Sequence, residues 1–418
     1  MRHSVRRSVL LPLLAASLAA CCGAKGGTPP LQFAFVGGAL YARLTTEWED
    51  RGDHTLYTLL QLARRGSLPD VRAWLGGVAG DGSGAAEGAT LSYWRPTQHG
   101  NANASSGLLL WPDYDFSGWA AAWIAPHDAF AAALDADAPP WAKRRDSAFP
   151  RTRRGLLALT QPLCTSLPAG VYWTGALVGG ELRPAFAACA AAQPTVFAAD
   201  VIDWAKLRKR DPLPFAPHKQ AALKPSAGDL RHMTAHKYAI YLWGRSWSTS
   251  LKRLALAGAA LLMPAANPYE SFVSRQIAEC VGCVIEFDAT EPARLCDAIS
   301  RALRNVSDAE AERRAARLGA FVRQRLSLEP MLRYAGGVLR DLAARNGPLP
   351  PHSLDDDGAM LRFKDAEAAP LRRVDCASVK TAHRMRLGHA AAWQVDAWLD
   401  DDCEPLPEVP YLKYVALR

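Results

Sequence analysis

The apolar positions of this chain come in short dense runs separated by amphipathic segments, the alternation expected of strands buried between helices. The clearest case spans residues 236–264. Residues 238–242 are aromatic and aliphatic throughout, as a buried parallel strand requires. Gly244 then permits a tight turn, and Leu251, Leu254 and Leu256 give the next segment one apolar face. After a stop at Gly258, residues 259–263 read as another strand. The same reading predicts strands over 69–75, 91–94 and 284–287, with a Pro-containing linker over 28–32 leading into 33–36. It predicts helices over the second half of 40–65, through Leu56, Leu59, Leu60 and Leu62, and over 292–300 and 308–326, the last capped by Asp308. Gly347 with Pro348, Pro350, Pro351 and the acidic run 355–357 marks a boundary, and no internal repeat is evident.

The strand, loop and helix of 238–258 also suggest chemistry. Ser246 and Ser248 are placed to cap the helix, leaving its first N–H groups outward, where an anion such as a sugar-nucleotide diphosphate is favoured. Lys252 and Arg253 add positive charge in the first turns. On mechanism alone, an ordinary serine-capped helix in a Rossmann-like layer accounts for these residues equally well.

Composition narrows the class. A chain of 418 residues has room for two domains, and 49% hydrophobic with 22% charged residues is a globular balance. The net charge of +8 is spread over solvated helix faces such as 301–325, so nucleic acid is not an expected partner. Arg2, Arg6 and Arg7 followed by the apolar run 9–20 and small residues form a secretory signal, too short for a clear membrane span. It is a cleaved peptide or a signal anchor, although Leu18-Ala-Ala-Cys21 also fits a bacterial lipoprotein box. Asn103-Ala-Ser105 and Asn305-Val-Ser307 are glycosylation acceptor triplets. Of nine cysteines, Cys21 and Cys22 fall in the signal; the rest are odd in number, so one stays free or pairs elsewhere. Cys280-Val-Gly-Cys283 has no second pair or histidine cluster and reads as structural rather than as a redox or zinc site. The glycine-dense loop 76–84 is flexible and is no dinucleotide fingerprint, because 85–90 does not continue as a helix.

Residues 108–119 are dense in aromatics and carboxylates, which suits either a packed corner or a sugar site, where rings stack on pyranose faces and carboxylates accept hydroxyl hydrogens. Three motifs here fall in a recognisable order: Pro69-Asp70, Ser92-Tyr93 and Pro112-Asp-Tyr-Asp-Phe-Ser-Gly-Trp119, followed downstream by Trp247-Ser-Thr-Ser-Leu-Lys252. Together they resemble the Rumi-like protein O-glucosyltransferases, glycosyltransferase family 90, which includes the capsule-associated proteins, with the closest likeness to the plant and algal branch. The resemblance covers about residues 55 to 345.

It implies an α/β fold of two Rossmann-like domains facing a cleft, the GT-B architecture. On this basis 1–27 is the signal, 28–190 the acceptor-side domain, 191–345 the nucleotide-sugar domain and 346–418 a C-terminal extension. The implied reaction is inverting, metal-independent transfer of glucose or xylose from a UDP-sugar to a protein serine or threonine, or to a glycan hydroxyl, in the endoplasmic reticulum or Golgi lumen. Contact with a membrane would come only through the N-terminal signal. The implied donor contacts are Gly244, Ser246, Ser248, Lys252 and Glu270, with Arg151 and Arg154 from a basic stretch that departs from the family turn at Pro150 and Thr152. Tyr93, Asp113 and Tyr114 fall on the acceptor side, and Asp81 is the implied base, two residues from the position the family spacing gives, at Ala79. Ser250 stands where many animal members carry an Arg, which shifts charge to Lys252. Two other readings are a non-catalytic binder of UDP or carbohydrate and a Cys280/Cys283 redox protein.

Overall fold

In a computed structural model the described residues are 31–43, 51–66, 68–76, 90–97, 107–118, 126–144, 171–175, 181–201, 234–244, 246–364, 370–387 and 399–406. The chain opens with a hairpin of β1 (Leu31–Val36) and β2 (Ala39–Ala42). Its two-residue turn places Gly37 at φ 55° and Gly38 at φ 78°, the left-handed conformation such a turn needs. The Gly37 N–H donates to Asp70 at 2.8 Å, so the aspartate of Pro69-Asp70 holds the turn. Helix α1 (Arg51–Arg64) follows and buries nearly its whole length. Strand β3 (Val71–Gly76) then lies antiparallel to β1.

Strands β4 (Leu91–Ser92), β5 (Trp94–Pro96) and β6 (Leu109–Leu110) are short, and a single turn of 3-10 helix over Tyr114–Ser117 precedes α2 (His127–Asp137). Strand β7 (Val171–Gly175), helix α3 (Leu182–Ala192), β8 (Phe197–Val201), β9 (Tyr238–Ile240), α4 (Leu251–Leu256) and β10 (Ala260–Pro264) build the second half. Strand β11 (Tyr269–Ser271), α5 (Phe272–Ala278), β12 (Ile285–Phe287), α6 (Leu295–Arg304), α7 (Asp308–Arg325) and α8 (Leu328–Asn346) complete it. The tail adds β13 (His352–Leu354), β14 (Met360–Phe363), β15 (Leu371–Arg373) and α9 (Cys376–Leu387).

Two main sheets result. One has eight strands in the order β13-β14-β15-β2-β1-β3-β4-β6, and the other five in the order β12-β10-β9-β7-β8. Every pairing in the second is parallel. In the first, only β3-β4 and β4-β6 are parallel. The expected N-terminal Rossmann-like layer is therefore a mixed, largely antiparallel sheet; β13 to β15, within 346–418, are part of it rather than an appendage, joined through β15 to β2. Conversely β7 and α3, within 28–190, belong with the second sheet.

One apolar core, including Phe33, Trp111, Leu254, Leu261 and Leu332, runs through both halves, and a second covers the opposite face of the parallel sheet. There a disulfide ties Cys189 of α3 to Cys296 of α6. Cys376 pairs with Cys403, and Cys280 with Cys283. Both members of the Cys-x-x-Cys pair are buried, Cys283 completely. No described helix is long and apolar enough to cross a membrane. The expected N-terminal signal and Asn103 lie outside the described residues.

Candidate active site

In the parallel sheet the connection from β7 to β8 runs one way and that from β9 to β10 and β12 the other, so the strand order reverses between β7 and β9. Loops leaving the carboxyl ends of strands at such a reversal form the crevice where α/β sheets bind ligands. Two segments meet there. After β9 comes Tyr241 to Ser250; after β7 comes the start of α3, carrying Arg183.

Arg183 is buried and lies flat against Gly244: a Cβ added at Gly244 would sit 3.0 Å from the guanidinium carbon and both terminal nitrogens. Its Nε and Nη2 donate to the Leu242 carbonyl at 3.3 and 3.2 Å. The Gly244 N–H closes the loop onto the Ser246 carbonyl at 3.0 Å. Ser246 is fully buried, and its Oγ has no hydrogen-bond partner among the described residues. A hydroxyl so placed is a standing cost unless something accepts from it or donates to it. Ser248 donates its N–H to the Tyr241 hydroxyl at 3.2 Å, and its Oγ pairs with Ser250 Oγ at 2.9 Å. Burial pushes the Tyr241 phenol up to about 12.

Helix α4 is capped at Ser250, without a side-chain hydrogen bond, and has only six residues. The expected caps at Ser246 and Ser248 are thus displaced into the loop, and so short a helix contributes little macrodipole.

Beside this loop a group of charges is sealed inside the protein. Asp113 and Asp115, flanking the start of the 3-10 turn, meet Lys252 and Arg253 of α4, each of the four under a tenth exposed. Lys252 Nζ donates to Asp113 at 3.1 Å and also bonds Asp115; Arg253 reaches Asp115 at 2.7 Å. The Trp247 indole donates to Asp113 at 3.1 Å. Burial pushes the Asp113 carboxyl above its ordinary range despite Lys252. Burial acts on Asp115 in the same sense, but Lys252 and Arg253 together outweigh it and hold that carboxyl low. His127 packs against Phe116 with ring centroids 5.2 Å apart; burial, then the nearby Lys252, lowers its imidazole to about 3.

Aromatic rings extend the same contact. Trp247 stacks on Tyr93 and Trp94, with centroids 5.8 and 6.3 Å away. Tyr93 is fully buried, its hydroxyl bonded to Thr55, and Tyr114 lies under the Arg51 guanidinium, 5.1 Å from the ring centre. Lys252, Asp113, Tyr93 and Tyr114 are thus buried and held by the protein itself: Lys252 pairs with both carboxylates, Tyr93 bonds Thr55 and Tyr114 lies beneath Arg51. The aromatic-acidic motif of 112–119 and the basic start of α4 neutralise each other across the two halves.

Glu270 lies on a two-stranded ribbon of β5 and β11, opposite Arg95, whose Nε donates to it at 2.7 Å. Ser271 caps α5 with Ser274 in a reciprocal capping box. Asp81, Arg151 and Arg154 lie outside the described residues. Among the described residues no group of histidine, cysteine and acidic side chains is arranged to hold a metal. Sequence reasoning missed Arg183; the one signal was Gly244 itself, since a glycine in a loop marks either a turn or a close approach.

The family model for glycosyl transferase family 90 matches residues 100–346, over half of the chain. The chain belongs to glycosyltransferase family 90. The matched segment includes the 112–119 motif and the switch-point loop and begins after Pro69-Asp70, Asp81 and Ser92-Tyr93. No curated protein matches the chain. Among ten matching solved chains is an alpha,alpha-trehalose-phosphate synthase (UDP-forming) from Burkholderia vietnamiensis, 14% identical with a TM-score of 0.28. That match covers 43% of this chain and 44% of the synthase, so the chain spans under half the length of the solved structure it resembles.

Proposed function

We propose that this family 90 glycosyltransferase moves glucose or xylose from a UDP-sugar to a protein serine or threonine, or to a glycan hydroxyl, with inversion, in the secretory lumen. The observation that carries the donor reading is the switch-point loop: a buried Ser246 hydroxyl with no described partner, beside a glycine backed by a guanidinium. Transfer needs the departing diphosphate to be stabilised and the acceptor hydroxyl to lose its proton as the new bond forms. Gly244, Ser246 and Ser248 are the proposed diphosphate contacts, together with Arg151 and Arg154 of the basic stretch. Glu270 is the proposed ribose acceptor, its other oxygen already steadied by Arg95. Asp81 is the proposed base, and the reaction uses no metal. Facing domains with the reaction between them form part of the same reading. Three disulfides support an oxidising compartment.

Release of UDP from UDP-glucose or UDP-xylose in the presence of serine-containing peptide or glycan acceptors tests this directly. Absence of both UDP binding and sugar transfer would refute it. A second reading, a non-catalytic UDP binder, draws on the family match beginning after Asp81. It is favoured if UDP binds tightly while no acceptor is modified. Full transfer by Asp81→Ala would remove Asp81 from the mechanism.

A further inference from the structure

We propose that Arg72 and Trp74 of β3 build an accessory site for a single carboxylate-bearing sugar unit, apart from the donor crevice and independent of the donor reading. Along β3 the side chains alternate: Ala73 and Leu75 join the main core, while Arg72 and Trp74 lie half-buried on the other face of the sheet. The Arg72 guanidinium lies over two rings, 4.4 Å from the Trp74 centre and 4.2 Å from that of Phe363 on β14. Such rings steady a cation but offer its N–H groups no oxygen acceptor. Among the described residues no hydrogen bond or carboxylate reaches Arg72, and its Nε is buried. Burial, with no counter-charge to offset it, holds the guanidinium below its ordinary value. Arg95, Arg144 and Arg253, similarly shielded, each have an oxygen to donate to, on Glu270, Ala257 and Asp115. Arg72 differs from them in keeping its donors for something else.

A cavity of about 140 Å³ adjoins this guanidinium. Arg72 and Trp74 wall it on one side and residues 346–350 on the other, where α8 stops at Gly347, φ 71°, and the chain continues as Pro348-Leu-Pro350. The two prolines stiffen that wall, and Asn346 at the exposed rim carries both a donor and an acceptor. Three properties choose the occupant. A cavity of this size holds roughly one six-membered ring, too little for a run of peptide. Strand β3 is already paired on both sides, by β1 and β4, so no extended chain can add to it as a strand. The flat apolar surfaces of indole and proline suit the C–H face of a pyranose, and a guanidinium fork takes a planar carboxylate through two parallel N–H bonds. A uronic acid unit unites ring face and carboxylate in one compact residue. The crevice is built by loops of the five-stranded sheet and this cavity by the eight-stranded one, so an acidic glycan held here leaves the crevice open.

The test is ligand-observed NMR on the full chain with methyl β-glucuronide, with methyl β-glucoside, which shares the ring but lacks the carboxylate, and with the acidic peptide acetyl-Glu-Glu-amide. Wild type should bind the glucuronide about tenfold or more tightly than the glucoside, the scale of one charge-assisted pair. R72Q should abolish that preference while its melting temperature stays close to that of wild type. R72K should keep part of it, because an ammonium retains the charge without the fork. W74A should weaken both sugars, and with R72K it decides the matter if R72Q does not fold. Undetectable glucuronide binding, equal affinity for the two sugars, or a preference that survives R72Q overturns the proposal. Peptide binding as tight as that of the glucuronide overturns it as well. UDP should bind wild type and R72Q alike; a loss confined to UDP would move Arg72 to the donor site and overturn the accessory one.

Discussion

Two neighbouring regions, the sealed charge cluster and the switch-point loop, use opposite chemistry. The cluster concentrates formal charge and satisfies it internally: two carboxylates meet one ammonium and one guanidinium in the dry interior. The loop is held by backbone and hydroxyl hydrogen bonds and leaves a buried hydroxyl with no partner among the described residues. Charge-rich motifs draw attention in a sequence, yet here they join the halves of the molecule. The less conspicuous glycine and serines are the ones left with bonding capacity for a ligand.

Breaking one side of the cluster should produce the largest effect. Lys252→Met leaves Asp113 and Asp115 facing each other with Arg253 as the remaining cation, and should cost about 3–5 kcal/mol of stability by urea titration at neutral pH. A small loss accompanied by lost UDP affinity would instead return Lys252 to the donor site. Acid should then separate the regions. His127, lowered from 6.5 to about 3 by burial and by Lys252, stays neutral in the fold and is protonated once unfolded. Its contribution is complete above about pH 6.5 and falls by about 1.4 kcal/mol per pH unit between there and pH 3. Buried His54, lowered to about 3 by burial, adds to the same window. His127→Leu should flatten the decline of melting temperature between pH 6.5 and 4; an unchanged slope would show that His127 does not carry it.

Ser246→Ala reverses the pattern. It should leave the melting temperature unchanged or slightly raised, since it deletes an unpartnered buried group, while weakening UDP binding several-fold, the worth of about one hydrogen bond. Destabilisation without any change in UDP binding would make Ser246 structural. The smallest change is expected from Arg95→Gln, whose half-buried pair with Glu270 contributes about 1 kcal/mol or less to stability. Its sharper readout is the affinity for UDP against 2′-deoxy-UDP, which should converge if Glu270 holds the ribose.

Much of the parallel half was legible in advance. The strands at 238–240, 260–264 and 285–287 and the long helix from Asp308 follow directly from runs and periods of apolar residues. Finer features depended on partners far away in sequence. Asp308 was expected to cap its helix, but Ser307 does so, accepting the Glu310 N–H at 3.2 Å. The Asp308 carboxylate instead takes Lys237 at 3.0 Å and the Trp141 indole at 3.2 Å. No local pattern encodes that choice. The site was legible as a location, through Gly244 and the serines, but not in its charges: whether Lys252 faced a ligand or Asp115 depended on a pairing 137 residues apart. Arg183 escaped for the same reason, being 59 residues from the carbonyl it holds.

The junction of β15 with β2 has a consequence for synthesis. Residues 371–373 must insert beside residues 39–42, which are made long before them. The eight-stranded sheet therefore cannot close until residue 373 has left the ribosome, whereas the five-stranded sheet has all its strands by residue 287. Such distant pairing is slow, and until it forms β2 presents an open edge able to pair with another chain. A chain cut at residue 346 would keep that edge permanently, so a fragment ending where the family match ends should self-associate while the full chain stays dispersed.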